Sequence, residues 1–180
     1  MADADVHTAT ANDVPEIIRI HRETWRLAYA QLLPEDVLST LDTDEAWSLA
    51  VQSGAVLVAT EGEWTVGFVV ASKAPEEEVA KADGSLPDDA ATTALLHVLT
   101  EPRWGRRGHG TRLVAEACRQ LANAGATRGI AWIPEADKAS RNFYERLGWT
   151  GDGTVRTLDA GGRPLREVRV SGPLAVRLDA

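Results

Sequence analysis

Residues 93–114 read TALLHVLTEPRWGRRGHGTRLV, an apolar run followed by a proline, a glycine-rich turn and the opening of a helical pattern. Thr93 to Thr100 has the composition of a buried strand. From Gly110 to Ala124, the residues Leu113, Val114, Ala117, Leu121 and Ala122 recur at helical spacing, and Gly125 is placed to stop the helix. A strand that feeds a helix through glycines presents unpaired backbone N–H groups to a phosphate. It adds the positive end of the helix dipole, about half a charge. Gly105, Gly108 and Gly110 permit close backbone approach, while Arg103, Arg106, Arg107 and Arg112 put four guanidiniums within ten residues. The Gly108-His109-Gly110-Thr111 ending lacks the Gly-Lys-Ser/Thr of a P-loop, and the glycine spacing is not that of a dinucleotide-binding turn.

Working outward, Val6 to Thr10 reads as a short strand, and Asp13 with Glu16 and Pro15 forms a capping-box start for a helix carrying Ile17, Ile18 and Trp25. Further helices are expected over Glu35 to Leu41 and Asp44 to Val51. Ala55 to Thr60 and Trp64 to Ala71, separated by Glu61-Gly62-Glu63, read as a hairpin. Residues 74–90 are rich in carboxylates and contain Pro75, Gly84 and Pro87, which predicts a solvated, mobile acidic loop. Arg128 to Ile133 is a strand and Asp137 to Leu147 a helix closed by Gly148. Thr154 to Leu158 pairs with Leu165 to Val170 through Asp159-Ala160-Gly161-Gly162, and Leu174, Val176 and Leu178 alternate as a terminal strand. The order predicts a single α+β domain over residues 1–180, built on one mixed central sheet of six to seven strands flanked by helices.

Composition narrows the function classes. A chain of 180 residues can bury about 70% of its unfolded surface and fold alone. With 19 basic against 27 acidic residues the net charge is −8, so the whole molecule repels a nucleic-acid backbone or an anionic membrane, and an anionic ligand needs the local arginine patch. One cysteine, Cys118, excludes an internal disulfide and a multi-thiolate metal site and suits a reducing cytoplasm. It reads as inert packing, and no metal is expected. No apolar run approaches the roughly 20 residues that span a bilayer, and no basic, hydrophobic leader opens the sequence, which reads as soluble and unexported.

Pro102 through Leu113 resembles the central signature of the GNAT superfamily of acyl-CoA-dependent N-acetyltransferases, Gln/Arg-x-x-Gly-x-Gly/Ala after a strand, with Gly108 and Gly110 on its two small positions. Residues 137–149, Asp-Lys-Ala-Ser-Arg-Asn-Phe-Tyr-Glu-Arg-Leu-Gly-Trp, are similar to the family's Asn-x-x-Ala-x-x-Phe-Tyr-x-x-x-Gly-Phe. His21 to Leu41, with Trp25, Tyr29, Leu33 and Pro34, is similar to the first helical region of some members. Gly105 stands where the signature has Gln or Arg, Arg106 where glycine is common, Asp137 for Asn and Ser140 for Ala.

The resemblance implies a V-shaped splay between two central strands, with the pantetheine of acetyl-CoA pairing with the backbone of Val98, Leu99 and Thr100. It places the diphosphate on the main chain of Arg106, Arg107, Gly108, His109, Gly110 and Thr111, with Asp137, Ser140 and Tyr144 also at the donor. The side chain of His109 is expected to face phosphate or solvent. Tyr144 takes the family's position for the acid that protonates the departing thiolate, since a phenol of pKa about 10 is protonated at neutral pH. A backbone N–H near Val98 or Leu99 would polarise the thioester oxygen. Removing a proton from an aliphatic amine of pKa about 10.4 at pH 7 costs about 4.6 kcal/mol. His97, Glu101, His21 or an ordered water path could serve as the base. His21, Trp25 and Tyr29, with Trp47, lie on the helices that wall the acceptor cleft in relatives. Glu76, Glu77, Glu78, Asp88 and Asp89 could draw in a cationic amine.

The expected activity is transfer of an acetyl group from acetyl-CoA to a primary amine of a small molecule or peptide by direct attack in a ternary complex, in the cytoplasm. The alternatives are a non-catalytic acyl-CoA-binding sensor or interaction module, and a nucleic-acid binder using the arginine run, which the net charge opposes. The terminal strands could pair across a homodimer.

Overall fold

A computed structural model describes residues 4–40 and 43–176. In chain order it has β1 (Ala4–Thr8), α1 (Val14–Tyr29), α2 (Glu35–Thr40), α3 (Asp44–Gln52), β2 (Val56–Glu61), β3 (Trp64–Lys73) and α4 (Glu76–Val79). Then follow β4 (Thr93–Thr100), α5 (His109–Asn123), β5 (Arg128–Pro134), α6 (Lys138–Arg146), β6 (Thr150–Ala160) and β7 (Arg163–Pro173). The strands form one mixed sheet of seven, hydrogen-bonded in the order β1-β2-β3-β4-β5-β7-β6. β4 and β5 are parallel, and their ladder pairs Thr93 with Arg128, Ala94 with Gly129 and Leu95 with Ile130 before it ends.

The described residues divide into two units. The first draws on Met1–Val70, Val98–Val114 and Asp159–Arg163. Its core is the apolar stripe of α1, Ile17, Ile18 and Ile20, packed with Val51 of α3 and with Val56, Val58, Phe68 and Leu99 from the strands. Val14 of the same helix stands three and four residues before Ile17 and Ile18, and Ile20 stands three beyond Ile17, spacings that bring these side chains to one face. The start of α1 differs from the expected capping box. Thr10 and Asp13 form the box instead, the Thr10 N–H donating to Asp13 Oδ2 at 2.7 Å, while Glu16 accepts from Arg19 at 2.9 Å. A one-turn 3-10 helix over Ala11–Asp13 moves the cap upstream to Thr10, whose amide finds the Asp13 carboxylate.

The second unit draws on Ala71–His97, Ala115–Leu158 and Pro164–Ala180. Trp149 is fully buried here, its indole N–H donating to the Pro173 carbonyl at 3.0 Å. The residue fills the space beside the bare Cα atoms of Gly129 on β5 and Gly172 on β7, where a Cβ would overlap it. Residues 74–90, expected as a solvated loop, contain α4, and Val79 is fully buried in a cluster with Ala74 and Ile130. Arg169, only 4% exposed, holds the end of α4. Its guanidinium donates to the carbonyls of Glu78 (2.8 Å) and Ala80 (2.9 Å), to Asp152 (2.6 Å) and to Thr154 Oγ1 (2.9 Å). Arg156, stacked 4.2 Å over the Trp132 ring, bridges Glu78 (2.7 Å) and Glu167 (2.6 Å). Two of the acidic residues expected to face an amine, Glu78 and Asp89, are thus ion-paired internally, Asp89 to Arg128 at 2.6 Å. The expected terminal strand is not formed at Leu174 and Val176, since β7 ends at Pro173 and Leu174 turns into the interior. Leu178 lies outside the described residues.

Replacing Gly172 with alanine forces a methyl into the Trp149 ring and backbone, and overpacking of this kind costs about 2 kcal/mol. Urea unfolding of Gly172→Ala should show a midpoint lowered accordingly with an unchanged slope, and an unaltered midpoint would show slack around Trp149 that the packing does not have.

Candidate functional site

The first unit holds the glycine-rich turn. β4 delivers the chain to Glu101, whose amide donates to the Val66 carbonyl at 2.9 Å, and Pro102–Trp104 then make one turn of 3-10 helix. Arg106 follows with φ 62°, the one left-handed non-glycine among the described residues, and Gly108 has φ 82°. α5 begins at His109, and the first donor inside the helix is the Arg112 amide, bonded to the Gly108 carbonyl at 3.0 Å. The amides ahead of Arg112 therefore open the helix without i−4 acceptors, as at any helix start. Gly105, Arg106, Arg107 and Gly108 are all exposed, so a phosphate can approach this main chain.

Three of the four arginines have intramolecular work. Arg103 pairs with Glu101 at 2.6 Å and lies 5.8 Å from the centroids of both Trp64 and Trp104. Arg107 pairs with Glu61 at 2.8 Å and lies 4.9 Å over Trp104. Arg112 reaches His109 Nδ1 and the Arg107 carbonyl, each at 3.2 Å. His109 differs from its expected exposure. Its side chain is only 1% exposed, and Nε2 lies 2.8 Å from Glu61 Oε2. Burial alone would raise the Glu61 carboxyl, but the hydrogen bond to His109 and the charge and hydrogen bond of Arg107 outweigh it and hold that group below the usual carboxylate range. Glu61 carries no sequence signal of this part beyond its place in a polar hairpin turn. Glu101, a candidate base, has both oxygens engaged, Oε1 by Arg103 and Oε2 by Arg19 at 3.1 Å.

Val98, Leu99 and Thr100, the turn, and the acceptor-side candidates all belong to the first unit. His21 is buried among rings, with centroids 5.2 Å from Trp25, 5.5 Å from Trp47 and 6.2 Å from Phe68, and Trp25 meets Tyr29 edge-on at 4.9 Å. Phe68 was not among the expected members of this cluster. Its place in an apolar strand carried no signal beyond core packing.

The second unit holds His97, Asp137, Ser140 and Tyr144. His97 is half-buried on β4. Asp137 is the N-cap of α6, accepting from the Ser140 amide at 3.0 Å and the Ser140 hydroxyl at 2.7 Å, so the two substituted motif positions satisfy one another. That cap starts the helix that carries Tyr144. The phenol ring is buried between Phe143 (5.2 Å) and Trp149 (5.3 Å), and burial first, then the neighbouring Cys118, pushes its pKa well above the ordinary tyrosine value. Cys118, fully buried in α5, has its thiol pushed up to about 12 by burial. Among the described residues no group of three or more His, Cys, Asp and Glu side chains is arranged to hold a metal, and no helix is long and apolar enough to cross a membrane.

The sequence model of the acetyltransferase (GNAT) family matches residues 14–149. The uncharacterized N-acetyltransferase YuaI of Bacillus subtilis (strain 168) is 26% identical over 144 residues, 78% of this chain and 76% of that protein. Among solved structures, the PaiA N-acetyltransferase of Thermoplasma acidophilum in complex with coenzyme A superposes with a TM-score of 0.73 at 16% identity, covering 95% of this chain and 99% of that one. The phosphinothricin acetyltransferase of Sinorhizobium meliloti in complex with acetyl-CoA gives 0.71 at 20% identity, covering 94% and 88%.

Tyr144 and Cys118 both have folded-state pKa values above their ordinary ones, so the folded chain keeps protons that the unfolded chain gives up. Their contribution to stability is complete below the ordinary thiol pKa of about 8.5, where both states keep their protons, and is lost as pH rises toward the folded values. Urea midpoints taken between pH 8 and pH 11 should fall for the natural chain and fall less steeply for Cys118→Ala. Equal slopes would show that the thiol is not held protonated by the fold.

Proposed function

Because the chain belongs to the acetyltransferase (GNAT) family, we propose that it moves an acetyl group from acetyl-CoA to a primary amine of a small molecule or peptide by direct attack in a ternary complex. The observation that carries this reading is the turn at the head of α5. Arg106 and Gly108 are left-handed, the segment is exposed, and the amides ahead of Arg112 begin a helix. Those features suit a diphosphate, which needs converging N–H groups more than it needs side chains. The internal pairing of Arg103, Arg107 and Arg112 fits the same view, since the main chain is then the principal anion receptor.

In this reading Val98, Leu99 and Thr100 offer backbone groups to the pantetheine arm, and an N–H there polarises the thioester oxygen. Arg106 to Thr111 hold the diphosphate. Asp137 and Ser140 act by setting the start of α6. Tyr144, kept protonated by its apolar seat, gives its proton to the departing sulfur as the carbon–sulfur bond breaks, and regains one from solvent. His97 or an ordered water takes the proton that the amine gives up. Glu101 is less suited, both its oxygens being engaged. His21, Trp25 and Tyr29 border the acceptor, and a lone buried thiol suits a reducing cytoplasm.

A panel of amines incubated with acetyl-CoA, monitored by release of free thiol, tests the reaction and sorts the acceptor together. Tyr144→Phe is expected to lower kcat by about 10²-fold with the calorimetric Kd for CoA within about twofold of the natural chain's. An unchanged rate removes Tyr144 from the chemistry. CoA binding without thiol release across the panel replaces catalysis with a sensing or partner-binding role.

A further inference from the structure

Glu61 stands at the end of β2, directly after the register slips between Ala59 and Thr60, an irregularity of the kind that re-aims the side chains beyond it. Its two oxygens go to two residues of one turn, Oε1 to Arg107 and Oε2 to His109, each at 2.8 Å. On the other side of the imidazole, Arg112 Nη1 lies 3.2 Å from Nδ1, and Nη2 of the same guanidinium donates to the Arg107 carbonyl at 3.2 Å. A guanidinium can only donate, so Nδ1 accepts, and the ring proton sits on Nε2 and points at Glu61. The bonds close a circuit, from Glu61 to His109, to Arg112, to the Arg107 backbone and through the Arg107 side chain back to Glu61. Inside it lies Gly108, with φ 82°, and beside it the left-handed Arg106. A non-glycine residue in that region is disfavoured and persists where surrounding contacts over-determine it.

We propose that Glu61 and His109 are positioning residues for the donor, holding the Arg106–Gly108 turn in the one shape that makes the amides at the start of α5 converge on a diphosphate. The inference rests on the reading of that turn as the diphosphate site. In that reading neither side chain takes part in acetyl transfer, so their influence falls on donor affinity and not on the chemical step. His109 is buried, and its partner lies on a different element, so the turn is indexed to the sheet and not merely to its own helix.

The test uses the full chain and three variants. His109→Leu keeps buried apolar volume and removes both ring bonds. Glu61→Asp keeps the charge but is one methylene too short to span both partners. His109→Gln retains an N–H that can reach Glu61. Calorimetry with CoA, and steady-state kinetics with acetyl-CoA and with S-acetylpantetheine, which carries no diphosphate, are read together with the thermal midpoint. His109→Leu and Glu61→Asp are expected to raise the Kd for CoA and the KM for acetyl-CoA about tenfold, with kcat and the rate on S-acetylpantetheine within about twofold, and His109→Gln is expected to recover most of the affinity. Unchanged CoA affinity in folded variants overturns the inference. So does a parallel loss on both donors, which marks a general structural role. Should His109→Leu fail to fold, Glu61→Asp carries the same decision. A natural chain that gives no heat with CoA overturns the diphosphate reading itself, and this inference with it.

Discussion

A helix cannot satisfy its own first amides, and at the head of α5 that general deficit meets a turn that is left-handed at Arg106 and Gly108. Arg106 is left-handed without being glycine, and His109 is driven inward although it sits in a glycine turn on the surface side of the chain. Both become intelligible through the Glu61 carboxylate, which takes one bond from each side of Gly108. Glu61 and Glu101 each take a guanidinium from the turn, and the main chain of Gly105 to Gly108 stays exposed.

The second unit is organised differently, by shape more than by charge. Trp149 needs two facing glycines, and the chain supplies them on separate strands, Gly129 and Gly172. Once seated, the indole forms one wall of the Tyr144 pocket, so the apolar environment that keeps the phenol protonated derives from a packing requirement several residues away. Arg169 is the polar counterpart. Buried as it is, it is satisfied by two carbonyls, a carboxylate and a hydroxyl, the condition under which a buried cation is tolerable.

Much of this was legible in the residues. Periodicity located β4 and α5 because both are long and strongly patterned, and the glycine and proline punctuation placed the β2–β3 hairpin and the end of α6. Gly108, Gly110 and Tyr144 stood out because each belongs to a short local motif. The acidic segment after β3 forms α4 against its composition. Four helical residues there carry one apolar side chain, and what holds them is Arg169, at the far end of the chain. The N-cap of α1 was displaced for a related reason, a 3-10 turn that composition does not announce.

Sequence alone determined the long, strongly patterned elements, the family signature, the acidic balance that leaves one basic turn, and the chemical type of each candidate group. Tertiary structure alone decided which carboxylate meets which arginine, that His109 faces Glu61 and not solvent, and that Asp137 and Ser140 answer one another. The division has a physical cause. Propensity and periodicity depend on neighbours within a few residues, whereas a hydrogen bond at 2.8 Å depends on the relative placement of elements whose separation along the chain carries no information about their distance in space.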